Sequence, residues 1–280
     1  MIMQSQIKKR IFIIGTARSG STFLQSLIGA HSKIFTLPET HFFDKTLHPR
    51  KSIRFFEIIT RKKKKILEER LSEINLTKEY LKGFSTPSIS KKKWGKFLLD
   101  IIDSEAIKKN KFLWVEKTPR NIRYIDFINS LAENIYFIHI HRDPEDNIAS
   151  LYEVGKKYPD SFKQNNLDAC IDRYITEFYI SLNYLDKENH YHIIYEDLVL
   201  SLENSVKGIC DFLNIEFEDS MLNFQEKTKE IVVGKEQWKA NNFAKIKNEK
   251  KSVKLFNPDE LKYLRDKVAG IDLNIFRKSR

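Results

Sequence analysis

Short apolar runs alternate along the chain with longer stretches in which apolar residues recur every three or four positions. The first run, Ile11 to Ile14, enters a glycine, and Phe23, Leu24, Leu27 and Ile28 then follow at helical spacing. Strand, loop and helix are expected there. Further strands are expected at Lys33 to Leu37, Phe112 to Val115, Ile135 to Ile140 and His192 to Tyr195, with longer helical patterns between them. Such alternation predicts an α/β fold, a parallel β-sheet of about five strands flanked by helices.

One stretch breaks the pattern. Residues 42–111 are lysine-rich, amphipathic and poor in strand signals, and they are too many for a simple crossover. They predict a helical cap insertion, with Gly83 to Ser90 as the loop that joins two cap helices. Near the C-terminus Asn257 fits a helix cap, Pro258 the first turn, Asp259 and Glu260 its positive end, and Gly270 its stop.

A chain of 280 residues that is 41% hydrophobic can bury one sizeable core, so a single domain over 1–280 is expected. No apolar run reaches the about 18 residues of a membrane span, and the polar start, Met1 to Arg10, is no secretory signal. A cytoplasmic protein without a membrane span is expected. Cys170 and Cys210 lie in helical patterns without metal-ligand neighbours at short spacing, which points to reduced core positions. The net charge of +11 attracts nucleic acid, acidic membranes and small polyanions alike. Its lysine runs, Arg61 to Lys65 and Lys91 to Lys93, lack interleaved aromatics and read as solvated helix faces.

The chemistry starts at Gly15-Thr16-Ala17-Arg18-Ser19-Gly20-Ser21-Thr22, which has the glycine spacing and strand-to-helix setting of a P-loop. Backbone N–H groups at such a helix start can surround a phosphate. The lysine that should follow the second glycine is replaced by Ser21, and a cation, Arg18, stands inside the loop, so the triphosphate clamp is missing. The run at Ile135 to Ile140 leads into His141 and Arg142 rather than a magnesium-organising aspartate, which leaves Glu116 as the alternative carboxylate. No metal is expected. Ser150 follows Arg142 by eight residues, beyond Pro144, and an arginine fork with a nearby hydroxyl suits a second phosphate. Pairing with Asp143 or Asp146 is the competing role for Arg142.

These motifs resemble those of the PAPS-dependent sulfotransferases, the carbohydrate and protein-tyrosine types more than the cytosolic type with a lysine in its loop. The resemblance implies a P-loop-like fold and 3'-phosphoadenosine 5'-phosphosulfate (PAPS) as co-substrate. It assigns Arg18, Ser19, Gly20, Ser21 and Thr22 to the 5'-phosphosulfate, and Arg142 and Ser150 to the 3'-phosphate. Tyr195, opening Tyr195-Glu196-Asp197-Leu198, is similar to a family tyrosine near the nucleotide, and Lys239, beside Trp238, to a basic residue near adenine and the 3'-phosphate. Glu39 lies as far after Arg18 as the family's glutamate does after its loop arginine, which implies a general base, with His41 as the alternative. Lys117, in Glu116-Lys117-Thr118-Pro119, is implied at the transferred group, where it and Arg18 offset charge on the leaving phosphate.

The implied reaction moves the sulfuryl group to a hydroxyl of a carbohydrate, glycolipid, peptidyl tyrosine or small alcohol, with no nucleic acid involved. Two rivals stand beside it: a P-loop kinase using ATP and magnesium, and a non-catalytic basic protein that binds nucleic acid or anions through its lysine runs. Choice of acceptor falls to residues 42–111 and 153–166, which carry no transferable motif. Oligomeric state has no signal.

Overall fold

A computed structural model describes residues 6–47, 60–82, 90–159, 166–232 and 250–277. Its strands are β1 (Lys9–Gly15), β2 (Ile34–Thr36), β3 (Leu113–Lys117), β4 (Ile135–His141) and β5 (His190–Ile194). They form one sheet in the order β2-β3-β1-β4-β5, and every pairing is parallel. The five expected strands are present, with ends that differ where charged or polar residues are buried. Arg10 belongs to β1 because its guanidinium pairs with the buried Asp103 at 2.6 Å. Glu116 and Lys117 extend β3, His190 opens β5, and Tyr195 begins a helix instead of ending the strand. Hydropathy cannot register a polar residue whose partner is remote in sequence.

The two-residue repeat of the strands sorts the core into two layers. Phe12, Trp114 and Phe137 point to one face, with the Phe12 ring 5.2 Å from Trp114 and 5.7 Å from Phe137. That face is covered by α2 (Phe42–Thr46), α3 (Arg61–Glu73), α4 (Lys91–Lys108) and α5 (Ile125–Asn129). Ile11, Ile13, Val115, Ile138 and Ile193 point to the other, against α1 (Ser21–Gly29). The remaining helices are α6 (Pro144–Lys157), α7 (Leu167–Leu182), α8 (Tyr195–Leu200), α9 (Leu202–Leu213), α10 (Gln225–Ile231), α11 (Lys251–Leu255) and α12 (Pro258–Val268). Of these, α9 joins the α1 layer, while α6, α7 and α12 share a third cluster with Phe276.

The stretch expected as a cap carries helices and turns and no strand among its described residues. Trp94, Leu98 and Ile102 place α4 in the layer that covers the sheet, while α2 and α3 adjoin the segment after β2. Ser90 caps α4, accepting from Lys93 N at 3.3 Å, and residues 83–89 of the expected cap loop lie outside the described residues. The C-terminal helix α12 begins as expected, with a reciprocal capping box between Asn257 and Glu260. Both cysteines are buried and unbridged, and no helix among the described residues is long and apolar enough to cross a membrane.

Candidate active site

The strand order reverses at β1, with β3 on one side and β4 on the other, and α1 leaves from the carboxyl end of β1. Ligands gather in a crevice of this kind. The loop between β1 and α1 needs its glycines. Gly15 has φ +147, and a Cβ there would lie 2.4 Å from Ile140 O; Gly20 has φ +95, and a Cβ there would lie 2.3 Å from the Tyr195 ring. Six non-glycine residues have positive φ among the described residues. Four are asparagines, which tolerate it, and the other two are Arg18 and His41. Strained backbone of this kind is held in place only by its surroundings. The first turn of α1 has no side-chain cap and no acidic residue, so its N–H groups are suited to an anion.

On the β4 side three predicted residues meet. Arg18 Nε donates to Ser150 Oγ at 3.2 Å, and Arg142 Nη1 donates to Arg18 O at 3.2 Å. Arg142 also lies over the Tyr195 ring, 5.0 Å from its centroid, and within 3.6 Å of Asp146, its expected competitor. Burial, followed by the Arg142 charge, lowers the Arg18 pKa to about 10, and Glu153 and Glu39 offset this only in part. Ser19 Oγ and Arg142 Nε are buried with no hydrogen-bond partner among the described residues. Two arginines, orphaned donors and an open helix start fit a phosphorylated ligand.

On the β3 side the charges are interleaved. Lys117, buried at the end of its strand, donates to Thr22 Oγ1 at 3.1 Å and pairs with Glu39. The other Glu39 oxygen is 3.1 Å from His41 Nε2, whose Nδ1 is 3.2 Å from Asp44. Burial works against a charge on His41, but the hydrogen bonds to Asp44 and Glu39 outweigh it and raise the pKa to about 9. His41 is therefore cationic at neutral pH. Of the two candidate bases, the raised pKa of His41 disfavours the imidazole and favours the Glu39 carboxylate.

A sequence profile described as the sulfotransferase family matches residues 10–219, a span that runs from β1 through both sides of this site. The chain belongs to the sulfotransferase family. It is 22% identical to protein-tyrosine sulfotransferase A of Caenorhabditis elegans, across 77% of this chain and 52% of the relative. It is 24% identical to protein-tyrosine sulfotransferase 2 of Gallus gallus, across 77% and 54%. The chain spans about half the length of the curated relatives it matches. Among solved structures, the sulfotransferase domain from the curacin biosynthetic pathway superposes with a TM-score of 0.56, at 20% identity over 94% of this chain and 98% of that one. A mouse sulfotransferase complexed with PAP superposes with 0.57, at 12% identity over 99% and 91%. These likenesses establish the fold.

Within this sulfotransferase-family site, three features escaped the sequence reading. Glu116 is engaged from several sides: it accepts from Thr40 N at 3.2 Å, from Thr40 Oγ1 at 2.9 Å, from the Thr118 hydroxyl, and from Asn121 Nδ2 at 2.8 Å. Burial raises its pKa, against the pull of those donors. Arg70, from α3, reaches the backbone of Glu39 and Thr40. Four buried histidines line β4 and β5, paired edge to edge, with His139 Nε2 2.8 Å from His190 Nδ1 and His141 Nε2 3.1 Å from His192 Nδ1. His192 Nε2 faces Tyr184 O at 3.4 Å, a carbonyl that can only accept. His139, His141 and His192 each offer a ring nitrogen within 4.8 Å of the others, and the His139 and His192 rings stack 4.2 Å apart. Lys239 and Trp238 lie outside the described residues.

Proposed function

We propose that the chain transfers the sulfuryl group of PAPS to a hydroxyl acceptor as a single catalytic unit. The observation that carries this reading is Lys117, whose ammonium touches both the phosphate loop, at Thr22, and the carboxylate of Glu39. One side chain thus links the place for a phosphosulfate to a base.

PAPS supplies the sulfuryl group together with a phosphate as leaving group. The N–H groups at the start of α1, with Ser19, Gly20, Ser21 and Thr22, hold its 5'-phosphosulfate, and Arg142 with Ser150 holds its 3'-phosphate. Tyr195 flanks the nucleotide, and Lys239 is assigned to it on resemblance alone. Glu39 takes the acceptor's hydroxyl proton as the acceptor oxygen bonds to sulfur. The bond from sulfur to the bridging oxygen breaks with its electron pair on the phosphate, where Arg18 and Lys117 offset the charge. The products are the sulfate ester and 3'-phosphoadenosine 5'-phosphate. Glu116, engaged by Thr40, Thr118 and Asn121, weighs against a magnesium-dependent kinase.

The relatives' names make peptidyl tyrosine the first acceptor to test, ahead of sugars, glycolipids and small alcohols. Two buried, unbridged cysteines support a reducing compartment, the cytoplasm. Incubation with sulfur-labelled PAPS and a panel of a tyrosine peptide, an oligosaccharide and a small phenol should label one of them without added magnesium. Label transfer from ATP that requires magnesium would contradict the reading.

A further inference from the structure

Residues 37–41, between β2 and α2, run outside the sheet ladder, so their backbone groups need side-chain partners. Gln25 on α1 donates to Leu37 O at 2.8 Å. Glu116 accepts from Thr40 N, and Thr118 Oγ1 accepts from His41 N, both at 3.2 Å. These holds come from the sheet and its α1 layer. The Glu39 and Thr40 carbonyls are gripped from the lysine-rich insertion. Arg70 donates through Nε to Thr40 O at 3.0 Å and through Nη2 to Glu39 O, while its Nη1 donates to Glu73 at 2.6 Å.

A planar guanidinium fork can bind two consecutive carbonyls, whereas an ammonium is a single point of charge. Leu67 and Leu71, on either side of Arg70 along α3, are fully buried, which seats the helix and fixes where the fork can reach. His41, two residues after Glu39, holds φ +52, a conformation that persists only when its neighbours are over-determined.

We propose that Arg70 is a positioning residue: by gripping the Glu39 and Thr40 carbonyls, it ties the orientation of Glu39 and His41 to the seat of α3. The proposal rests on Glu39 being the base. It makes the insertion more than an acceptor surface, because an acceptor that shifts α3 also re-aims the base. Arg70 has no contact with Arg18, Arg142 or Ser150 in the hydrogen bonds that define the β4 side, so nucleotide binding should not depend on it.

The test compares the full chain with Arg70→Met and Arg70→Lys. Affinity for adenosine 3',5'-bisphosphate should stay within about twofold, since only interactions made in the transition state change turnover alone. The His41 imidazole, followed by NMR and assigned with a His41→Asn variant, should titrate near 9 in the parent. It should fall toward the ordinary value of about 6.5 in Arg70→Met, with Arg70→Lys between. Release of labelled sulfate from PAPS, with water as acceptor, should drop about a hundredfold in Arg70→Met, the scale of a small misplacement. If Arg70→Met does not fold, Arg70→Lys decides. Unchanged His41 titration and turnover, or a parallel loss of bisphosphate affinity, would overturn the proposal. No bisphosphate binding by the parent would instead remove the sulfotransferase reading and leave the His41 titration to judge Arg70.

Discussion

On the β4 side of the phosphate loop, Arg18 and Arg142 are packed against each other, and two buried polar atoms there have no hydrogen-bond partner among the described residues. On the β3 side, Lys117, Glu39, His41 and Asp44 alternate in sign, each within reach of the next. The first arrangement disfavours the charge on Arg18, whose pKa is lowered by burial and then by Arg142, so a bound anion should relieve it. The second sets a carboxylate between Lys117 and His41 beside the loop. On the proposed mechanism Arg142 and Ser150 serve binding and Glu39 and Lys117 serve chemistry, so variants on the two sides should separate the two.

The largest effect expected is on turnover, from the β3 side. Glu39→Gln should lower sulfuryl transfer by about 10²–10⁴-fold, the usual worth of a general base. Lys117→Met should cost about 10²–10³-fold, as for loss of one group that stabilises developing charge. Neither should weaken binding of adenosine 3',5'-bisphosphate by more than a few-fold, and steady-state kinetics beside calorimetry would expose any failure of that separation.

Next in size is the β4 side. Removing the Arg142 fork with Arg142→Met should cost about 1.5–3 kcal/mol of bisphosphate affinity, roughly ten- to a hundredfold in Kd. Ser150→Ala should cost less, about 0.5–1.5 kcal/mol, because a neutral hydroxyl is lost. Equal losses from Glu39→Gln would erase the contrast between the two sides.

The smallest effects are those of pH on stability. His41 has its folded pKa raised to about 9, so its contribution is full below about 6.5 and is lost as pH rises through 9. The buried imidazoles behave in the opposite sense. Burial, then neighbouring histidines, hold His139 and His141 well below their ordinary value; burial, then His192 and Lys187, bring His190 to about 3. The unfolded chain takes up protons that these sites refuse, so stability should fall as pH drops below about 6.5 toward 3. Urea denaturation at several pH values should show both limbs, and His41→Asn should flatten the alkaline one alone.

The loop was legible because its backbone dictates its residues: only glycine fits at Gly15, against Ile140, and at Gly20, against Tyr195. Arg142 and Ser150 were legible because Pro144 starts a helix just after the strand and the spacing then brings the hydroxyl back to the Arg18 and Arg142 corner. Glu39 and Lys117 were found through family resemblance, and the geometry joins them to Thr22. Arg70 was hidden on a lysine-rich helix whose charges read as solvated, and its bonds to Glu39 and Thr40 go to backbone atoms, which carry no sequence signal. Glu116 and the paired histidines were hidden for a related reason. Their partners sit on other elements, and a buried polar residue satisfied from a distance looks like an exposed one in a hydropathy pattern.

Calorimetric titration of adenosine 3',5'-bisphosphate into the parent chain and Arg142→Met asks whether the loop and Arg142 together form a metal-free site for a bisphosphorylated nucleotide. The titration is run with magnesium and with a chelator. Binding should ignore magnesium and be weakened about ten- to a hundredfold by the substitution, with affinity retained in Glu39→Gln. Binding that requires magnesium, or folded parent protein that does not bind at all, would contradict it.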